Sequence, residues 1–265
     1  MEPFIIIKPK VKPVPIVVSV PHSGTSIPDE LRGLYVPKQL QLLDDTDWFV
    51  DKLYDFAPQI GITMICAKYS RWVIDLNRDP KNTALYNDGR IITELTPTKN
   101  FLGEKLYTGS GPDHQEIERR LHQYYLPYHN KIRQLLGELR QQQHNVIFFD
   151  AHSIRRLVPT IRKDAFPDLI LGNQDGKTAD ARFIAATLNV LQSSNYTVQH
   201  NSPFKGGALT RSFGDPKNGV HALQLEMTKV NYMDDAEINY DEQRANNMRG
   251  LLQKMFSTLI EMVSS

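Results

Sequence analysis

A single cysteine, Cys66, stands in 265 residues. One thiol excludes an internal disulfide and a cysteine-rich zinc knuckle, and it fits a reducing cytoplasm. Charge of one sign is also missing: 31 Lys and Arg stand against 30 Asp and Glu, for a net charge of +1. No global field draws the chain to nucleic acid or to a membrane, so an acidic ligand would need a local basic cluster. No apolar run approaches the length of a membrane-spanning helix. The opening MEPFIIIKPKVKPVP lacks the charged start, apolar core and small-residue site of a secretory leader. Neither secretion nor membrane insertion is expected. Internal repeats, low-complexity runs and linkers are absent too, which makes one domain over 1–265 the expectation. What is present is the composition of a soluble globular protein, 40% hydrophobic and 23% charged.

The richest stretch is Val146–Ile154, VIFFDAHSI. Its first four residues form the short apolar run of a strand buried in a parallel sheet. Asp150, His152 and Ser153 then fall at the carboxyl end, where open α/β sheets bind their ligands. Imidazole is the commonest metal ligand, and a nearby carboxylate can orient it. The same pattern occurs earlier: Pro15–Val20 reads as a strand stopped by Pro21 and followed by His22-Ser23-Gly24. Two strands of one sheet, each ending in a histidine, make a shared site plausible. The plain alternative is packing, since the chain has eight histidines.

Around these strands the pattern predicts an edge strand or surface arm over residues 4–13. A helix is expected over Leu42–Phe56, entered through Asp44-Asp45-Thr46-Asp47. Aspartate and threonine there would cap the helix, but three carboxylates in four positions exceed what a cap needs. Asp45 or Asp47 is thus a candidate metal ligand. Ile62–Ala67 reads as a strand, and Trp72–Leu76 as another ending in Asn77 and Arg78. The Arg78 fork matches a carboxylate, which could equally be Asp75 or Asp79. Lys81–Pro112 reads as a long loop able to cover the site. A long helix follows from Asp113, striped by Ile117, Leu121, Tyr124, Tyr128 and Ile132 and kinked at Pro127. Beyond the central strand, Arg155, Arg156, Arg162 and Lys163 form a basic patch for which an anionic substrate is at least as good a reason as nucleic acid, the latter being weakly supported without aromatic interleaving. Asp168–Asn173 is a strand and turn, and a helix runs from Thr178 or Asp180 to about Leu191. Gly206 and Gly207, beside Lys205 and Arg211, allow close backbone approach to a ligand. Val220–Met227 is a strand with Gln224 and Glu226 on one face. Asp241–Val263 is an amphipathic covering helix.

Put together, His22, His152 and an aspartate of the Asp45/Asp47 pair resemble a two-histidine, one-carboxylate zinc site with a position open for water. Glu226 would be the base that activates that water, and Arg78 with Asn77 would hold a substrate carboxylate.

The ordered segments PHSG (21–24), DDTDWFVDKLYDFA (44–57), SRWVIDLNRDP (70–80), PDHQEIERR (112–120), FFDAHSI (148–154), PDLILGNQDG (167–176), FKGGALTRSFGDPKNGVHALQLEM (204–227) and NYMDD (231–235) resemble the N-formylglutamate amidohydrolase family over nearly the whole chain. The resemblance implies hydrolysis of N-formyl-L-glutamate to formate and glutamate in histidine degradation, with a divalent metal, zinc being the first choice. It also implies an α/β fold in three layers, with a mixed, mostly parallel sheet between helices, as in the zinc carboxypeptidases and aspartoacylase. In that wider group a metal-binding Glu usually stands three residues after the first histidine; here Thr25 does, so the carboxylate must come from elsewhere, with Asp47 preferred to Asp45. The resemblance further implies His22, Asp47 and His152 as ligands, Glu226 as the catalytic base, and Asn77, Arg78, Arg211, Arg71 and Lys205 around a small dicarboxylate substrate. Another N-acyl amino acid or a small amide as substrate of the same metal site, or a non-catalytic binder of acidic metabolites, are the competing expectations.

Overall fold

The computed structural model describes residues 2–81 and 94–264. Among the described residues seven strands form one sheet: β1 (Phe4–Ile7), β2 (Ile16–Val20), β3 (Thr63–Ala67), β4 (Val146–Ile154), β5 (Leu169–Gly172), β6 (Val198–His200) and β7 (Val220–Thr228). Their order is β1-β3-β2-β4-β7-β5-β6. The pairs β2–β3, β2–β4, β4–β7 and β5–β6 are parallel, whereas β1–β3 and β5–β7 are antiparallel. The sheet is therefore mixed and mostly parallel. The central strands are buried along their length, which is why they read as continuous apolar runs rather than as alternation.

Helices are α1 (Asp29–Arg32), α2 (Val50–Leu53), α3 (His114–Arg120), α4 (Leu126–Arg140), α5 (Ala181–Gln192), α6 (Ala208–Phe213) and α7 (Glu242–Ser264). Ile147, Phe149, Leu223 and Leu225 pack on Phe183 of α5 and on Leu252, Phe256 and Leu259 of α7. The opposite pleat, with Val17, Ile65, Phe148 and Ala222, packs on Tyr128, Ile132 and Leu136 of α4 and on Leu209 of α6. The sheet is thus the middle of three layers. Among the described residues no helix is long and apolar enough to cross a membrane.

Two expectations are corrected, and one strand is added. The helix expected over Leu42–Phe56 is reduced to the single turn of α2, with Leu43 and Phe49 at positive φ on either side of the aspartates. No aspartate caps it, because tertiary partners claim each one, and Asp and Thr are weak helix formers. Residues 72–76 form turns, not a strand: β3 already has a neighbour on each side, so the sheet offers them no edge there. β6, three residues long and partly exposed, went unread. Of the loop expected over Lys81–Pro112, residues 82–93 lie outside the described residues. The long helix from Asp113 is present, capped by Asp113 accepting from the Glu116 amide and interrupted by a π turn at Leu121–Tyr125 just before Pro127.

Candidate functional site

Parallel pairing sets three chain ends side by side. Ser19 of β2 pairs with Asp150 of β4, and His152 of β4 pairs with Glu226 of β7. Two residues past β2 comes His22. Strand alternation points Asp150, His152, Gln224 and Glu226 toward the α4 layer, so the site forms on that side, at the carboxyl ends of three strands.

Asp47 completes the group. Its amide donates to the His22 carbonyl at 3.0 Å, which ties the aspartate turn to the end of β2. Asp47 Oδ2 lies 3.2 Å from His152 Nδ1 and 3.6 Å from His22 Nδ1. All three residues are buried, and one ligand atom from each falls within 4.8 Å of the others. The other nitrogen of each ring is held by a carboxylate: His22 Nε2 is 2.8 Å from Asp75 Oδ1, and His152 Nε2 is 2.9 Å from Asp150 Oδ2. Those carboxylates favour the tautomer that leaves Nδ1 as the ligand atom. His22 Nδ1 is buried without a hydrogen-bond partner. Ligands in a tetrahedron around zinc, each about 2.1 Å from it, sit about 3.4 Å apart. The donor set and spacing fit a divalent cation.

In the metal-free site the carboxylates set the electrostatics. Burial pushes the Asp47 pKa up, but bonds to His152 and His22 outweigh it and hold the carboxyl below its ordinary range. Burial likewise acts against a charged His152, yet Asp150 and Asp47 lift its pKa well above the usual imidazole value. Asp75 is held far below the usual carboxylate range, since Arg71, Arg78 and His22 overcome its burial. Glu226 is pushed up to about 8, first by desolvation and then by Asp47 and Asp150, with the His152 charge opposing. Its partly exposed side chain has no hydrogen bond to another described residue.

Asp45 is excluded from the group. Its oxygens accept from Trp72 Nε1 at 2.8 Å and from the Phe101 amide at 2.9 Å. Asp44 takes Arg155, which also reaches Glu237 at 3.1 Å. The basic patch expected there for an anionic substrate is, at Arg155, a buried-side ion network instead.

The residues expected to bind substrate divide by their contacts. Arg71 is buried and bound to Asp75 at 2.6 Å, with its guanidinium over the Phe101 ring. Arg78, 20% exposed, lies 3.8 Å from Asp75. Asn77 is engaged at both ends: Oδ1 accepts from the Leu209 amide at 2.8 Å and Nδ2 lies 3.0 Å from His152 Nε2. Gly207 does allow a close approach, but to Asn77 rather than to a ligand, since a Cβ there would drive into the Asn77 amide. The Gly207 N–H donates to Gln224 Oε1 at 2.7 Å. Arg211 is half-buried and donates to the Gly206 carbonyl at 2.8 Å. Lys205 pairs with Asp175 at 2.7 Å on an exposed part of the surface. Sequence reasoning missed the role of Asp75 in holding His22, having considered it only as a partner for Arg78.

Fold and site define an α/β protein with a buried His-Asp-His group, able to hold a metal ion, at the ends of parallel strands. A profile of the N-formylglutamate amidohydrolase family matches residues 14–233, and the chain belongs to that family. It is 36% identical over 250 residues to an N-formylglutamate deformylase of Pseudomonas putida, covering 93% of this chain and 92% of that protein. An N-formylglutamate deformylase of Pseudomonas aeruginosa is 36% identical over 251 residues, covering 93% of each. The crystal structure of an N-formylglutamate amidohydrolase from Ralstonia eutropha JMP134 superposes with a TM-score of 0.84 at 26% identity, over 100% of this chain and 99% of that one.

Proposed function

We propose that this chain hydrolyses N-formyl-L-glutamate to formate and L-glutamate, as a step of histidine breakdown in the cytoplasm, with a divalent metal, zinc first, held by His22, Asp47 and His152. The observation that carries the reading is the pair of imidazoles, each backed by a carboxylate on Nε2 and turned by Nδ1 toward Asp47, with Glu226 in register beside them. When bound, a divalent cation supplies positive charge that makes an amide carbonyl more electrophilic and a water more acidic.

The side chains do the rest. Glu226 accepts a proton from water as its oxygen bonds to the formyl carbon. It then gives that proton to the amide nitrogen as the C–N bond breaks, leaving formate and the free amine. Arg78 and Arg211 neutralise the two substrate carboxylates, while the Arg71 guanidinium is committed to Asp75 and the Lys205 ammonium to Asp175. Asn77 accepts from the Leu209 amide and so keeps the start of α6 in place beside His152. Formate release from N-formyl-L-glutamate by chelator-stripped protein, with and without zinc, tests the reading. Activity restored by metal supports it. Absence of activity with any divalent metal in a folded sample overturns it, and turnover of a different N-acyl amino acid would replace the substrate.

A pH prediction follows from the raised groups. The His152 and Glu226 pKa values both lie above their unfolded values, about 6.5 and 4.3. A group whose folded pKa is raised contributes stability that is complete below its unfolded pKa and is lost as pH rises through the folded one. Asp47 and Asp75 are shifted down, so their contribution is lost only in acid. The metal-free protein is therefore expected to lose melting temperature as pH rises, through Glu226 from about pH 4.3 to about pH 8 and, above about pH 6.5, through His152 as well. Zinc should raise the melting temperature most at the alkaline end, because bound imidazole must be deprotonated. Thermal melts in chelator and in zinc across this range check it, and a flat metal-free profile would count against it.

A further inference from the structure

The segment 70–78 carries Arg71, Asp75, Asn77 and Arg78, yet it is neither helix nor strand. A segment made of turns keeps one shape only if its backbone groups are held from outside. Here the carbonyls are held by side chains. Tyr35 Oη donates to the Trp72 carbonyl at 2.8 Å, Arg120 Nη1 to that of Val73 at 3.0 Å, and Tyr125 Oη to that of Arg78 at 2.8 Å. His129 Nε2 lies 2.9 Å from the Leu76 carbonyl. Burial lowers the His129 pKa to about 4, so the ring is neutral and Nε2–H is the donor.

Three of these four residues come from the α3–α4 helix, spaced five and then four apart. On a plain α-helix, at about 100° per residue, a spacing of five would put Arg120 and Tyr125 about 140° apart. The π turn at Leu121–Tyr125 lies between them. It absorbs one residue, reducing the angle to about 40°, the same as the four-residue step from Tyr125 to His129. Arg120, Tyr125 and His129 therefore share one stripe facing the segment. Arg120 is fully buried, and its Nη1 also donates to Tyr107 Oη at 2.8 Å. Tyr125 and His129 stack with ring centroids 3.9 Å apart, which fixes both donors.

We infer that the π turn makes this helix a template for the substrate-gripping segment, with Arg120, Tyr125 and His129 as positioning residues and Tyr125 setting the place of Arg78. The inference rests on the proposed role of Arg78 in holding a substrate carboxylate.

Tyr125→Phe removes one hydroxyl and keeps the ring stack. In the zinc-loaded enzyme it is expected to raise KM for N-formyl-L-glutamate roughly 3- to 10-fold, the worth of one hydrogen bond, with kcat within about twofold and metal content unchanged. Hydrogen exchange at the amides of residues 72–78 should quicken. Tyr124→Phe is the matched control: it removes a hydroxyl in the same π turn that faces Glu30, not the segment. An equal KM rise in that control, or unchanged KM and exchange in Tyr125→Phe, overturns the inference. Should Tyr125→Phe not fold, His129→Gln against His129→Leu asks the same question. The amide donor of Gln should preserve KM and Leu should raise it, and equal values overturn the inference. If wild type does not hydrolyse N-formyl-L-glutamate at all, the functional reading fails. The exchange comparison, which needs no turnover, still decides whether the helix holds the segment.

Discussion

Glu226→Gln is expected to slow formate release by roughly 10²- to 10⁴-fold, the usual worth of a positioned general base, while fold and metal content are retained. Glutamine keeps the shape of the side chain and its capacity to accept a hydrogen bond. It cannot take a proton from water and return it to an amine. The structure gives Glu226 no competing job: it has no hydrogen bond to another described residue, and it sits in register with His152 on the adjacent strand. Its pKa of about 8 arises from desolvation together with repulsion from Asp47 and Asp150. Replacing it with a neutral amide removes that repulsion, so the melting temperature should hold or rise. A loss of stability would mean a structural role. Turnover is therefore expected to fall without a fall in stability. A cation beside the carboxylate favours its charged form. The acid limb of the wild-type kcat/KM profile is thus expected below pH 8 and should be absent from the residual activity of the variant. Near-normal turnover by Glu226→Gln would remove the base from this site.

The parts legible in the sequence were those whose cause is local. VIFFDAHSI and the Pro15–Val20 run announce buried strands because a strand covered on both faces is apolar throughout, and each shows its histidine at the end where α/β sheets bind ligands. The long helix was visible from its cap at Asp113 and its apolar stripe. What failed had distant causes. The aspartates at 44–47 looked like a helix start because nothing nearby shows that Asp44 belongs to Arg155, Asp45 to Trp72 and Phe101, and Asp47 to two histidines. The period of Trp72–Leu76 suits a strand, but β1 and β2 already flank β3. Asp75 has Arg78 as the obvious partner in sequence, whereas its nearer contacts are Arg71 and His22, the latter 53 residues away in the chain. Spacing alone left Asp45 and Asp47 equivalent; only the tertiary partners separate them.

That separation underlies the second large effect, a graded loss of metal. His152→Ala deletes a proposed ligand and should leave the protein without bound zinc after dialysis and without measurable turnover. Asp150→Asn is a gentler change. It leaves the imidazole in place but weakens the carboxylate contact at 2.9 Å that orients it, and changes of that kind cost 10- to 100-fold in metal affinity. Asp75→Asn should weaken zinc binding similarly through His22, with a second consequence. Asp75 also receives the buried Arg71 at 2.6 Å, so the amide leaves that guanidinium without its carboxylate. Removing one partner of a buried pair is destabilising by about 3–5 kcal/mol. The two asparagine variants are therefore expected to match in zinc affinity and to differ in melting temperature, with Asp75→Asn the lower. Competition titrations against a chelator, alongside thermal melts in excess chelator, separate the terms. Full zinc occupancy in His152→Ala would exclude that residue as a ligand. Equal melting temperatures for the two asparagine variants would show that Arg71 does not depend on Asp75, and that the segment carrying both is held by its backbone contacts alone.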